Sequence, residues 1–118
     1  MRLALAAAAL LATPAAAFEG TYDNRKPAGE YRLVRVTKAG ADLYAVRIVT
    51  TLTTHGDLEC AGDLNTRARV EKGTFRSGDD ECPLSLSFQG RKVTIREEGR
   101  CDLRGARCTF NGTATRLR

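Results

Sequence analysis

Apolar and polar residues alternate along most of the chain after residue 17, with the period of a β-strand that buries one face. The clearest segment is Leu84 to Gln89, in which Leu and Phe alternate with Ser and Gln. After a Gly90-Arg91 step the alternation resumes in residues 92–96. This pattern predicts a β-hairpin with one face in the core and the other in water.

Other segments with the same period predict further strands. In residues 44–50 the series Tyr44, Val46, Ile48 and Thr50 alternates with Ala45, Arg47 and Val49. A glycine-centred connection at residues 38–42 joins this segment to an earlier strand at residues 31–37. In that earlier strand the apolar series shifts from Leu33 to Val34, so either a β-bulge intervenes or both faces are partly covered. Four more segments have the composition of strands: residues 18–22, 58–62, 67–72 and 108–115.

The spacing of these segments predicts an all-β fold. Short strands with turns between them are typical of a small antiparallel β-barrel of about seven or eight strands, and a β-sandwich is the alternative. Two segments, Phe18 to Thr21 and Phe110 to Thr113, share the pattern F-x-G-T. This repetition suggests that the first and last strands are neighbours that close a barrel.

The first seventeen residues have the composition of a secretory signal peptide. A basic start is followed by an apolar run from Leu3 to Leu11 and by alanines at residues 15–17, an alanine-rich leader typical of bacteria. The apolar run is shorter than the roughly 20 residues of a transmembrane helix. A buried N-terminal helix, the alternative, would be broken at Pro14. We therefore expect cleavage after Ala17 and a single periplasmic or secreted domain of residues 18–118.

The exported part contains all four cysteines, Cys60, Cys82, Cys101 and Cys108. An even number of cysteines in a small exported domain predicts disulfides, because an oxidising compartment favours pairing. The spacing contains no C-x2-C pair, which argues against a zinc site. Among the alternative pairings we expect the two that are local in sequence, Cys101–Cys108 and Cys60–Cys82.

Positive charge is concentrated near the C-terminus. The full chain has 19 Lys and Arg against 14 Asp and Glu, and residues 91–118 alone have eight basic and three acidic side chains. Arg100, Arg104 and Arg107 surround the loop that a Cys101–Cys108 disulfide would close. Such a loop would hold guanidiniums ready for carboxylate or phosphate at a reduced entropic cost. We predict an anion site here, with a polyanionic envelope component or an acidic protein as partner; the alternative is a turn that the arginines only keep soluble.

Carboxylates cluster beside the other two cysteines. Asp57, Glu59 and Asp63 flank Cys60, and Asp79-Asp80-Glu81 leads directly into Cys82. A Cys60–Cys82 disulfide would gather these groups, and calcium prefers several oxygen ligands. The spacing matches no EF-hand or related repeat, so we favour solvated loops and expect neither a metal nor a cofactor.

The chain shows no set of catalytic residues. With every cysteine paired, no thiol remains for a Cys–His nucleophile, and no G-x-S-x-G segment supplies an activated serine. A small hydrolase that uses His55, the single histidine, with Asp57 is the alternative. Tryptophan is absent and aromatic residues are few, which argues against stacking on nucleic-acid bases. We therefore expect a non-enzymatic binding or envelope-associated protein.

Several motifs together resemble a class of small exported bacterial proteins of largely unassigned function. They are Gly20-Thr21-Tyr22, the Y-x-V-x-I-x-T segment from Tyr44 to Thr50, Cys60, and the C-x6-C-x-F-x-G segment from Cys101 to Gly112. More distantly, the architecture is similar to the periplasmic β-barrel inhibitors of C-type lysozyme, whose Ser/Gly-rich inhibitory loop has no clear counterpart here. That similarity implies, as an alternative function, an inhibitor acting through the acidic segments near Cys60 and Cys82.

Overall fold

The computed structural model describes residues 18–24, 29–78, 80–102, 104–105 and 107–117. The predicted signal peptide, residues 1–17, lies outside these ranges. Nowhere in the described residues is there a helix long and apolar enough to cross a membrane. Strands dominate instead, as the alternation of apolar and polar residues predicts.

In this part of the chain, eight antiparallel strands form a closed barrel. Each strand pairs with its neighbours in sequence, and the last strand pairs with the first. The all-β prediction is confirmed, and the architecture is the barrel rather than the sandwich. The strands are β1 (Gly20–Asp23), β2 (Glu30–Gly40), β3 (Leu43–Thr54), β4 (Asp57–Glu71), β5 (Thr74–Ser77), β6 (Leu84–Gln89), β7 (Lys92–Glu97) and β8 (Gly112–Arg116).

The barrel closes between β1 and β8, where Tyr22 lies opposite Arg116. Both strands start at a glycine with positive φ, 149° at Gly20 and 146° at Gly112, a conformation that side chains with a Cβ rarely adopt. The repeated F-x-G-T pattern therefore marks two similar strand starts. The prediction that the first and last strands are neighbours is confirmed.

Two-residue turns connect the consecutive strands β3, β4 and β5. His55-Gly56 joins β3 to β4 and Lys72-Gly73 joins β4 to β5, with positive φ at all four residues. Such pairs are typical of type I′ turns, whose twist matches the right-handed twist of the flanking strands. The two turns therefore help to set the antiparallel register of β3, β4 and β5.

Some strand boundaries differ from the predicted ones. β4 is one strand rather than two strands at residues 58–62 and 67–72, because Leu64 faces the core and continues the alternation between them. β5 is an additional short strand. β8 starts four residues later than predicted, because the Phe110 N–H is bonded to the Glu97 carboxylate rather than to a neighbouring strand.

The inward-facing positions of β2 include a charged residue. Val34 and Val36 are buried together with Arg32, whereas Tyr31 and Leu33 on the opposite face are half-buried. Of the two alternatives for this strand, partial cover on both faces is therefore the observed one. The register shift with β3 comes only at the end of the strand.

Aromatic side chains fill one end of the barrel. Contacting rings have centroids 4.7–6.3 Å apart, and burial of each large apolar side chain contributes about 1.5–3 kcal/mol. Arg32 lies at the opposite end of the barrel. There Thr50 of β3 is paired with Arg32 of β2 on one side and with Gly62 of β4 on the other. The aromatic group consists of Phe18, Tyr22, Tyr44, Phe75 and Phe88.

The cysteines form two nested disulfides, Cys60–Cys108 and Cys82–Cys101. All four cysteines are paired, as expected, but the expected pairing of Cys101 with Cys108 and of Cys60 with Cys82 is wrong. Cys82 and Cys101 flank the β6–β7 hairpin, and the antiparallel pairing of that hairpin brings them together. An isolated bridge between β4 and the segment before Cys108 brings Cys108 to Cys60.

Candidate functional site

The three arginines of the predicted anion site each contact a carboxylate of the chain itself. No Cys101–Cys108 disulfide closes their loop, and residues 103 and 106 within it lie outside the described ranges. An anion bound here would compete with three internal ion pairs, and the site stays a prediction. The pairs are Arg100 Nε to Asp102 Oδ1 at 2.9 Å, Arg104 Nε to Glu97 Oε2 at 2.7 Å and Arg107 Nη1 to Glu59 Oε1 at 3.2 Å.

Arg104 has a structural role through Glu97. The Glu97 side chain, only 7% exposed, accepts hydrogen bonds of 2.7 Å from Arg104 Nε, from Arg104 Nη2 and from the Phe110 N–H. The hydrogen bonds from Arg104 lower the pKa of the Glu97 carboxyl, and the same pairing raises the pKa of Arg104. Glu97 therefore fastens the segment around Arg104 and Phe110 to the end of β7.

A different group of arginines lies on the outer surface of β2 to β5. These side chains are exposed because they occupy the positions that alternate with the buried ones. Two carboxylates lie among them. Asp63 forms a bidentate pair with Arg47, and Glu71 Oε1 lies 3.8 Å from Arg76 Nε, so five arginines face two acids. We call this surface the arginine face; it consists of Arg35, Arg47, Arg67, Arg69 and Arg76.

The strand register places like charges opposite each other on the arginine face. Arg35 lies directly across from Arg47, and Arg69 lies directly across from Arg76. Like charges in such positions destabilise a sheet. Within the described ranges, Arg35, Arg67 and Arg69 have no ion-pair partner. The face therefore holds positive charge that the described chain does not neutralise.

Shallow depressions between these side chains make the arginine face accessible. One of about 420 Å³ is lined by Arg35, Arg47 and Arg67 together with small residues. A second of about 560 Å³ is lined by Arg67, Arg69 and Arg76. Arg67 borders both depressions, so the five guanidiniums form one continuous surface rather than two separate sites.

Asp63 and Arg47 form the bidentate pair of this face. Asp63 accepts hydrogen bonds of 3.1 Å from Arg47 Nε and 2.8 Å from Arg47 Nη2. The hydrogen bonds from Arg47 lower the pKa of the Asp63 carboxyl. About half of each side chain remains exposed, so water screens this pair far more than it screens the Glu97 pair.

The acidic segments beside Cys60 and Cys82 are not brought together as expected, because those cysteines have other partners. Glu59 and Asp63 each pair with an arginine instead, and Asp79 lies outside the described ranges. Among the residues whose positions are described, no group of three or more His, Cys, Asp or Glu side chains could hold a metal ion.

His55 lies exposed in the β3–β4 turn with a φ of 53°, next to Gly56. Asp57, its partner in the alternative hydrolase, starts β4 and is also exposed. The position of His55 follows from turn geometry, because a type I′ turn requires positive φ at both central residues. The hydrolase alternative stays a prediction.

No protein-family model matches the chain, and no curated protein or solved structure matches it either. Its function is therefore inferred from the geometry described above. The arginine face is hidden in the charge distribution along the sequence, since residues 18–90 carry ten basic and eleven acidic side chains. The signal that reveals it is the strand period, because Arg67 and Arg69 alternate with buried Ala68 and Arg35 separates buried Val34 from Val36.

Proposed function

We propose that this protein is an exported, non-enzymatic binding protein whose arginine face binds a polyanionic component of the cell envelope. The supporting observation is the three-charge excess on one exposed sheet surface, where Arg35, Arg67 and Arg69 lack ion-pair partners within the described residues. A polyanion would supply the missing negative charge, and its repeated anionic groups would contact several guanidiniums at once.

The compartment agrees with such a partner. Two disulfides indicate an oxidising, non-cytoplasmic location. The composition of residues 1–17 supports export through a signal peptide cleaved after Ala17, to the periplasm or the exterior. Lipopolysaccharide phosphates and teichoic acids are polyanions of bacterial envelopes. The proposal thus keeps the anionic partner predicted for the C-terminal loop but assigns it to charges that are not already paired.

Retention of the purified, disulfide-bonded protein on a heparin column tests this proposal. The triple variant R35S/R67S/R69S should elute at clearly lower salt than wild type, because it removes the unpaired charges of the face. Exposed charge contacts are screened over about 8 Å at physiological ionic strength, so added salt should release the wild-type protein as well.

A matched control removes the same charge elsewhere. Lys92, Arg96 and Arg100 are exposed on β7 and just after it, four strands around the barrel from β3. The variant K92S/R96S/R100S should elute much closer to wild type. Equal shifts for both triple variants would mean that retention reflects net charge alone, and the arginine face would then have no special role.

Two further measurements separate envelope binding from the alternatives. Immobilised lipopolysaccharide should retain wild type and the β7 control but lose the arginine-face variant. A turbidity assay with a C-type lysozyme tests the inhibitor reading, for which the acidic segments would have to act without a Cys60–Cys82 disulfide. Clear inhibition at micromolar protein would replace the present proposal.

A further inference from the structure

Arg32 is buried at one end of the barrel with an unusual lack of partners. Its side chain is 3% exposed, and its Nε and Nη2 atoms have no hydrogen-bond partner in the described structure. A buried polar group without a partner costs free energy, and a charged one costs more. The Glu30 carboxylate lies 3.5 Å from Nη2, and its own side chain is 53% exposed. Glu30 therefore compensates the charge of Arg32 only in part.

The two unpartnered atoms form the edge of a guanidinium that binds oxyanions side-on. Arg47 and Arg104 use the same Nε and Nη2 atoms to hold Asp63 and Glu97 in bidentate pairs. Two parallel N–H groups match two oxygens of a carboxylate or a phosphate. Arg32 has this edge, but no bidentate partner occupies it.

A solvent-open cavity of about 600 Å³, as shallow as the depressions on the arginine face, adjoins Arg32 at this end of the barrel. Its walls are Asn24, which follows β1, Gly29 with the start of β2, and residues 112–115 of β8. Asn24 is held in place there, since its side chain accepts a hydrogen bond of 3.1 Å from the Arg32 N–H and donates one of 2.7 Å to the Glu30 carbonyl. The volume lies within the range of about 300–1,000 Å³ typical of small-molecule sites.

Gly112 makes room for the guanidinium against β8. A Cβ atom at this position would lie 2.5 Å from Arg32 Cζ, closer than such atoms can approach. The φ of 146° at Gly112 also disfavours any other residue. Arg32 thus lies flat against the backbone of β8, in a space that only glycine leaves open.

We infer that this cavity binds the carboxylate or phosphate group of a small organic anion, held side-on by Arg32 Nε and Nη2. Glu30 Oε1 lies 3.5 Å from Nη2 on a side chain that is 53% exposed, so an entering anion would displace this carboxylate from the guanidinium. The site is separate from the arginine face, because Arg32 faces into the barrel whereas Arg35 faces outward.

Titration of the purified, disulfide-bonded protein with inorganic phosphate, and separately with acetate, tests the inference. Proton–nitrogen NMR spectra at constant ionic strength would follow the Arg32 Nε–H signal and the amides of residues 112–115. We expect a saturable shift of these signals, and the tighter of the two anions identifies the ligand class. Arg32→Met should abolish the saturable shift while its spectrum stays dispersed, which shows that the barrel is folded.

Two further variants make the test specific. Glu30→Gln should tighten anion binding several-fold, because it removes the competing carboxylate from an exposed position that does not endanger the fold. Arg35→Met, which removes the same charge from the outer face of the same strand, should leave the titration unchanged.

The inference would be overturned if neither anion gave a saturable shift at Arg32, if R32M shifted like wild type, or if E30Q bound no more tightly. Heparin retention of R32M distinguishes this site from the proposed function. Normal retention is expected, since the arginine face is intact in that variant.

Discussion

Replacing Glu97 by glutamine should destabilise the barrel strongly, because one carboxylate serves two separate parts of the C-terminal segment. Glu97 accepts two hydrogen bonds from Arg104 and one from the Phe110 N–H, all at 2.7 Å. Breaking a fully buried ion pair by removing one partner costs about 3–5 kcal/mol. Here the two side chains are 7% and 18% exposed, so water reduces the loss to about 2–4 kcal/mol.

The same substitution should alter the response to acid. The pKa of the Glu97 carboxyl is lowered in the folded protein, chiefly by hydrogen bonds from Arg104. A group whose pKa is lowered on folding stabilises the native state above its unfolded pKa of about 4.3, and that stabilisation is lost as the pH falls through the folded value. The difference in the free energy of unfolding between wild type and E97Q should therefore become smaller below about pH 4.

Urea unfolding followed by far-ultraviolet circular dichroism, with both disulfides intact, measures these differences. Asp63→Asn is the matched control, because Asp63 and Arg47 form the same bidentate pair at a half-exposed position. We expect D63N to lose much less stability than E97Q, since exposed ion pairs contribute little. Equal losses for the two variants, or a gap between wild type and E97Q that does not narrow in acid, would refute the role assigned to Glu97.

Two further predictions follow from the disulfides and from Gly112. Replacing both cysteines of Cys60–Cys108 by serine should cost about 4 kcal/mol and the same change at Cys82–Cys101 about 3 kcal/mol in the chain-entropy description, because the enclosed separations are 48 and 19 residues; urea midpoints rank the two, and the reverse order would contradict it. Gly112→Ala should lower the melting temperature more than Gly56→Ala, because both positions have positive φ but only Gly112 is crowded by Arg32. Equal losses would show that Arg32 moves aside freely.

The barrel was predictable because its information is local. The alternation in Leu84 to Gln89 identifies the inward face without reference to the rest of the chain. It does not predict that Ser85 on the other face is buried as well, where its hydroxyl donates a hydrogen bond of 2.6 Å to Glu98. The Gly90-Arg91 step likewise marks the turn between β6 and β7 from two residues alone, and Gly90 has a positive φ of 62°. The gap predicted within β4 arose at residues 63–66, where Leu64 is the single apolar residue.

The disulfide partners and the role of Arg104 were not predictable in this way, because both depend on contacts between distant segments. Cys60 and Cys108 meet only when β4 lies beside the segment that precedes β8, 48 residues away in sequence. Arg104 and Glu97 are close in sequence, but a count of charges does not show that the carboxylate also receives the Phe110 N–H. For this reason the sequence analysis predicted unpaired charge at Arg100, Arg104 and Arg107, whereas each of them pairs with a carboxylate.

The environment of Arg32 was predictable only in part. The sequence shows its inward position in β2 and the glycine at residue 112 separately, but only the fold shows that the two are in contact. Its position two residues before Val34 places it on the inward face, although its charge suggests the opposite. Gly112 belongs to the second F-x-G-T segment, and Gly20 of the first segment is similar, because a Cβ there would lie 3.0 Å from Arg116 Nε. At both strand starts a glycine thus lies beneath an arginine side chain. The repeated F-x-G-T motif therefore marks two strand starts at which an arginine side chain lies against a glycine, and of these two arginines only Arg32 is buried.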